Sequence, residues 1–291
     1  MPALILIRGG GDLASGVALR LHRVGLKVLI SELPQPLAVR RTVAFAEAVY
    51  AGQITVEEVT GRQVKREQVQ VALDAGEIPV LVDPDASILT ELSIPVVIDG
   101  RLTKHPPTPL QVDVPLHIGL GPGFHAGRNC HAVVETRRSH TLGRVYWDGT
   151  TQPDSGQPEG DPRRVLRAPI DGQIIGYAQI GDLLEEGDLI AEILPHVILS
   201  EAKNLLELHR DSSQSTAAQS DMLRIVSPFP GVLRGLVHPG LQVTAGLKVG
   251  DIDPRNEREA CFLVSDKALS IGGGVLEAIL SKEEIRNKLW G

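Results

Sequence analysis

The sequence predicts an α/β protein: a domain built on a parallel sheet, then a β-rich domain, then a C-terminal helix. Three observations predict it. The apolar run ALILI is followed by a glycine turn and a segment in which Val17, Leu19, Leu21 and Val24 recur at roughly helical spacing. Further runs rich in β-branched residues, IPVLVDP at 78–84 and IPVVIDGR at 94–101, are bounded by proline or glycine, as strands of a parallel sheet are. From Arg167 onward helical periodicity stops, and glycine turns come at regular intervals in two segments that superpose.

The first unit, IRGGGDLASGVALRLHRVG followed by KVLISE, reads strand, glycine turn, helix, strand. Gly9, Gly11 and Ala14 fit the G-x-G-x-x-G/A spacing of a dinucleotide-binding, Rossmann-like turn, with Gly10 between them. Glu32 lies 21 residues after Gly11, close to where such a fold places the acid that accepts a ribose hydroxyl. Asp12 opposes this reading, because a carboxylate in the first helical turn suits the helix dipole but repels a phosphate there. Two readings therefore stand: a nucleotide cradle with Glu32 on a ribose and Arg40, Arg41 or Arg137 offsetting phosphate charge, or a helix N-cap without a ligand.

The residues just after each strand run are the ones to inspect, since ligands of parallel sheets sit beyond the carboxyl ends of the strands. They are Gly9 to Asp12, Glu32, Asp83, Asp99 with Arg101, Gly121 to His125, and Glu135 with Arg137. The loop GLGPGFHAG offers Gly121 and Gly123 either as an anion nest beside Arg128 or as a tight turn held by Pro122. His117, His125, His131 and His140 fall within 24 residues. They lack helical H-x-x-x-H spacing, and strand alternation points them apart, so no metal is expected. Glu135, His140 and Cys261 are the weak catalytic candidates, unsupported by any spacing rule. Cys130 and Cys261, far apart, form neither a metal pair nor a disulfide framework.

In the second half, Pro169, Gly172, Gly181, Leu184, Gly187, Ile190 and Ile193 match Pro228, Gly231, Gly240, Val243, Gly246, Val249 and Ile252, all offset by 59 residues. This spacing resembles the two halves of a biotinyl/lipoyl domain, a barrel-sandwich hybrid. The connection from Leu194 to Val226 lacks the M-K-M triplet of a biotin carrier, and Lys203 in a 33-residue connection has no reason to be positioned for one, so neither biotin nor lipoate is expected. The domain boundaries expected are 1–158 for the nucleotide-binding domain and 163–258 for the hybrid domain, with an inserted loop at about 194–226. A C-terminal segment, 259–291, then packs its helix on the first domain. Gly272, Gly273 and Gly274 precede an apolar helical face. They read either as a second anion site at a helix start or as a turn into the final helix.

Composition bounds the function. With 291 residues, 42% hydrophobic and 22% charged, the chain is long enough for two globular domains. A net charge of −7 and only the short basic run RRVLR argue against nucleic acid. No apolar run approaches the roughly 20 residues of a membrane span. The N-terminal residues show no signal peptide, so a cytoplasmic location is expected.

The segments IRGGGDLASG, ELPQPLAVRRTVAFAEAVY, GPGFHAG, VVETRRSHTLG, GLKVGDIDPR and SDKALSIGGGVLEAIL occur in this order. Together they resemble the selenium-dependent molybdenum hydroxylase system accessory proteins, and the first domain is distantly similar to that of xanthine dehydrogenase accessory proteins. The resemblance implies a maturation role that binds NAD(P) or a molybdopterin nucleotide. Its implied partners are a client molybdenum hydroxylase and other maturation proteins, and a homo-oligomer is open to it. Arg138 stands where the resemblance leads one to expect glycine. An NAD(P)-dependent oxidoreductase and a non-enzymatic scaffold that binds the client through the hybrid domain are the alternatives.

Overall fold

The computed structural model describes residues 3–156, 160–195 and 223–290. Most of the connection between the repeat halves, including Lys203, lies outside the described residues. The chain divides into two compact units, Met1–Gly156 with Phe262–Gly291, and Gln157–Cys261. Among the described residues no helix is long and apolar enough to cross a membrane.

The first unit holds a nine-stranded sheet. Its strands are β1 (Leu4–Arg8), β2 (Lys27–Glu32), β3 (Gln53–Val56), β4 (Val59–Val64), β5 (Ile78–Val82), β6 (Val96–Asp99), β7 (Leu116–Leu120), β8 (Ala132–Val134) and β9 (Val145–Tyr146). They lie in the order β3-β4-β5-β2-β1-β6-β7-β8-β9. Every neighbouring pair from β4 to β8 is parallel, whereas β3 pairs antiparallel with β4, and β9 with β8. The expected purely parallel sheet is thus corrected to a mixed one. One edge is made by a tight reversal through Glu57 in the left-handed region (φ 53°), where two strands joined so closely can only run antiparallel. At the other edge β9 returns beside β8 after the longer connection 135–144.

Alternate residues of the central strands face two separate cores. Ile5, Ile7, Val28, Ile30, Val96 and Ile98 form one of them with the helices α1 (Asp12–Arg23), α4 (Asp266–Leu280) and α5 (Glu283–Trp290). Leu4, Leu6, Leu29, Leu81 and Val97 form the other with α3 (Val69–Asp74). The remaining helix, α2 (Ala48–Ala51), leads into β3.

Helix α4 begins at Asp266, with Ser265 as N-cap accepting from the Ala268 amide at 3.2 Å. Gly272, Gly273 and Gly274 therefore sit in mid-helix, and the anion site expected at a helix start there is corrected. In that position their amides belong to the helical ladder. What the glycines supply is closeness: a Cβ on Gly272 would lie 3.2 Å from the Gly16 carbonyl oxygen, and one on Gly274 would clash with the Gly143 carbonyl. On the α1 side a Cβ on Gly16 would fall 2.5 Å from Ala268 Cβ. Arg138, the departure from glycine, makes a two-pronged ion pair with Asp266 in the first turn of α4 (2.6 and 2.8 Å).

The second unit contains two four-stranded antiparallel sheets. One is β10 (Val165–Arg167), β17 (Lys248–Asp253), β15 (Gly231–Leu236) and β12 (Leu183–Leu184); the other is β14 (Leu223–Val226), β13 (Leu189–Leu194), β11 (Gly172–Gly176) and β16 (Gln242–Val243). The repeat appears as reciprocal exchange. β12 of the first half pairs with β15 of the second, and β16 of the second with β11 of the first. The amides of Gly187 and Gly246 donate to Ser227 and Ala168, each at 2.8 Å. Donors and acceptors both obey the 59-residue offset. Both glycines have φ in the left-handed region, 90° and 80°, where other residues are strained. Glycine spacing records where the chain turns, not how sheets close, so it does not by itself establish the biotinyl/lipoyl-like architecture expected from it. The last four residues of the expected inserted loop, Leu223–Val226, are the strand β14 paired with β13.

Gly16→Ala is expected to lower the unfolding free energy by about 1–3 kcal/mol through overpacking against Ala268, although alanine favours a helix. Gly273→Ala, where a Cβ meets nothing within 4 Å, is expected to raise it by about 0.5–1 kcal/mol. Chemical denaturation of both variants checks the pair.

Candidate functional site

The central strands of the first unit end in polar residues at one level. Arg8 on β1 is in register with Ser31 on β2 and with Asp99 on β6. All three are buried, at 5%, 2% and 0% exposure. A cleft of about 250 Å³ opens over these strand ends, lined among others by Arg8, Gly9, Ser31, Glu32 and Arg101.

Asp99 is shared unequally between two arginines. Arg101 holds it through Nε to Oδ1 at 2.8 Å and Nη2 to Oδ2 at 2.6 Å, a bidentate pair. Arg8 reaches the same Oδ2 only at 3.5 Å and donates its Nη2 to the Pro84 carbonyl at 3.2 Å. The Nε of Arg8 is buried without a hydrogen-bond partner, as is Ser31 Oγ. Burial pulls the Arg8 guanidinium below its ordinary pKa, which Asp99 only partly offsets.

The glycine turn is used within the protein. The Gly9 amide donates to the Ser31 carbonyl at 2.8 Å, and the Gly10 amide to Glu32 Oε2 at 2.5 Å. The Gly10 carbonyl accepts from the Ala46 amide and from Ser15 Oγ, and a Cβ on Gly10 would lie 2.8 Å from the Ala46 nitrogen. At Gly10 the close approach is therefore to Ala46, whereas a Cβ on Gly9 would meet Arg101 at 3.4 Å and one on Gly11 would meet nothing within 4 Å, and both of these glycines line the cleft. Asp12 accepts from the Leu13 amide and lies 3.8 Å from Arg40. Arg40 also donates to the Leu263 carbonyl, and Arg41 pairs with Glu47.

Glu32 is 7% exposed and accepts from the amides of Gly10 and Leu33. Burial pushes its carboxyl above the usual range, against those two hydrogen bonds.

The second glycine loop lines a separate cavity of about 430 Å³ with Phe124, His125 and Arg128. It is a packed turn: the Phe124 amide donates to the Gly121 carbonyl, His125 to Asn129 Oδ1, and a Cβ on Gly123 would meet the Thr103 and His105 carbonyls. The expected anion nest at Gly121 and Gly123 thus has its neighbouring amides already taken.

The three catalytic candidates differ in burial and in their partners. Glu135, fully buried, staples the amides of Arg137 and Gln152, while His140 is exposed. Arg137 contributes that amide to the staple. Cys261 is buried, its Sγ 3.8 Å from the Leu233 carbonyl in the second unit. Cys130 is also buried, and burial pushes its thiol up to about 11. His131 accepts the His117 amide through Nδ1. Among the described residues no group of three or more His, Cys, Asp and Glu side chains is placed to hold a metal.

Sequence reasoning singled out Asp99 and Arg101 but passed over Arg8 and Ser31. The signal for Arg8 was a lone charge closing the apolar run LILIR.

His117 on β7 is 7% exposed, and burial lowers its pKa to about 4. The unfolded chain takes up a proton below about pH 6.5, where the folded histidine stays neutral, so stability is lost as pH falls from there towards 4. The stability difference between wild type and His117→Gln should change across that window by up to about 3 kcal/mol, and pH-dependent urea unfolding of the two measures it.

No protein-family model matches the chain. A protein of Escherichia coli (strain K12) described as "Uncharacterized protein YqeB" is 43% identical over 282 residues, covering 95% of this chain and 47% of that protein. The chain thus spans about half the length of the curated relative it matches. Among solved structures, an aspartoacylase family protein from Mesorhizobium loti matches at 10% identity, with TM-score 0.26 and coverage of 86% of this chain and 84% of that one. A succinylglutamate desuccinylase from Silicibacter sp. matches at 12% identity and TM-score 0.25, with the same coverages. A succinylglutamate desuccinylase/aspartoacylase from Rhodobacter sphaeroides matches at 10% identity and TM-score 0.27, again over 86% and 84%. At these scores no activity passes from them to this chain. The Escherichia coli relative is described only as uncharacterized and the three solved structures as aspartoacylase or succinylglutamate desuccinylase proteins, so none of these descriptions names a molybdenum hydroxylase accessory protein, a xanthine dehydrogenase accessory protein, an NAD(P) oxidoreductase or a biotinyl/lipoyl carrier. The family resemblance, the Rossmann-like and hybrid-domain labels, and the molybdenum and selenium functions expected from sequence are corrected accordingly.

Proposed function

We propose that the first unit binds a small organic anion in the cleft at the carboxyl ends of β1, β2 and β6, with Arg8 at its floor and Arg101 at its rim. The observation that carries this reading is the imbalance around Asp99. One buried carboxylate serves two guanidiniums and is committed bidentately to Arg101. Arg8 keeps a carboxylate oxygen only at 3.5 Å and an Nε with no partner. A buried cation so poorly compensated is costly, on the order of several kcal/mol. An anion entering the cleft offsets that cost and supplies the missing acceptor.

The position agrees with the general placement of ligands beyond the carboxyl ends of parallel strands. The pairing of Arg101 with Asp99 leaves the remaining guanidinium N–H groups of Arg101 for a ligand.

Thermal unfolding in the presence of acetate, succinate and inorganic phosphate, at constant ionic strength, tests the reading. At about 100 times the dissociation constant a bound probe adds about 2.7 kcal/mol of stability. At least one probe is expected to raise Tm accordingly in wild type. Arg8→Met, which leaves the Asp99–Arg101 pair in place, is expected to abolish the rise. Equal shifts in the two proteins, or none in wild type, would overturn the proposal.

A further inference from the structure

The cleft has a second wall of opposite character. Ser31 and Glu32 close β2, beside Arg8, and both line the same space. Ser31 Oγ is buried and has no hydrogen-bond partner. The Glu32 carboxylate accepts from two backbone amides, and among the described residues it is in no ion pair with a basic side chain. A carboxylate offers about four acceptor positions, so about two remain on Glu32. One wall therefore carries guanidinium donors and the other carries unused oxygen acceptors.

The spacing of the walls is set by the sheet. Arg8 and Ser31 are register partners on adjacent strands, which lie about 4.8 Å apart. The charges balance as well: Arg8 and Arg101 against Asp99 and Glu32 sum to zero when all four are ionised. A simple anion leaves the cleft with an excess negative charge, whereas a ligand carrying adjacent positive and negative groups leaves it neutral.

Resting on the anion-binding reading above, we propose that the ligand is a zwitterion of amino-acid type. Its carboxylate meets Arg8 and Arg101, and its ammonium donates to Glu32 and Ser31 Oγ.

The test compares each of the nineteen standard amino acids that carry a primary α-amino group with the deaminated acid of the same skeleton, such as alanine with propionate and aspartate with succinate, by isothermal titration to the full chain. In wild type at least one amino acid is expected to bind about 10-fold or more tighter than its deaminated counterpart, as charge-assisted contacts to the ammonium require. Glu32→Gln should reduce that advantage to less than about 3-fold while leaving the deaminated acid within about 2-fold of its wild-type affinity. Should Glu32→Gln fail to fold, Ser31→Ala replaces it, with a smaller loss of the same advantage expected. Deaminated acids that bind as well as amino acids, or an advantage that survives in the variant, would overturn the zwitterion and leave the anion reading standing. Failure of every amino acid and every deaminated acid to bind wild type would remove both.

Discussion

The first unit depends on how closely two helices approach. Helix α1 comes directly after β1 and α4 arrives from far along the chain, yet their backbones meet at Gly16, Ala268 and Gly272 with no room for an added carbon. That contact lets Ile271, Val275 and Ile279 join Val17 and Leu21 over the central strands. Their burial contributes roughly 1.5–3 kcal/mol per side chain. The same contact fixes α1, and through it the turn that delivers Gly9 and Gly10 to Ser31 and Glu32. The cleft is thus held in shape by packing well away from its polar residues.

Much of the first unit was legible because the signals were local. A strand, glycine turn and helix in succession can be read from periodicity, and the runs at 78–84 and 94–101 contain β5 and β6. The antiparallel edges were not, since QITVEEVTGRQV looks like polar linker until the strands beside it are known. Gly272 to Gly274 misled for a related reason. Three glycines weaken a helix intrinsically, and only the neighbouring backbones of α1 and of Gly143 explain why the helix runs through them.

The site divides along the same line. Asp99 and Arg101 were legible because they close a strand run. Arg8 and Ser31 gain meaning only from register, which sets Ser31 beside Arg8 and brings Arg8 to Asp99, 91 residues away in sequence. Glycine spacing alone does not say what comes close, because the approach of Gly10 to Ala46 and an approach to a pyrophosphate leave the same mark in the sequence.

In the second unit, duplicated segments that exchange strands become dependent on one another. Neither half can complete its own ladders: β12 lacks a partner without β15, and β16 without β11. A half released alone would expose unpaired amides and carbonyls on both sides of the break, so partial opening gains little. The unit should therefore lose its order in one step. Its formation must wait for contacts across the intervening chain, where the closing entropy grows only as the logarithm of the connection's length. Sequence added between the halves then slows assembly slightly while leaving the cooperativity of the finished unit unchanged, which makes this joint a place where a chain can lengthen at little cost.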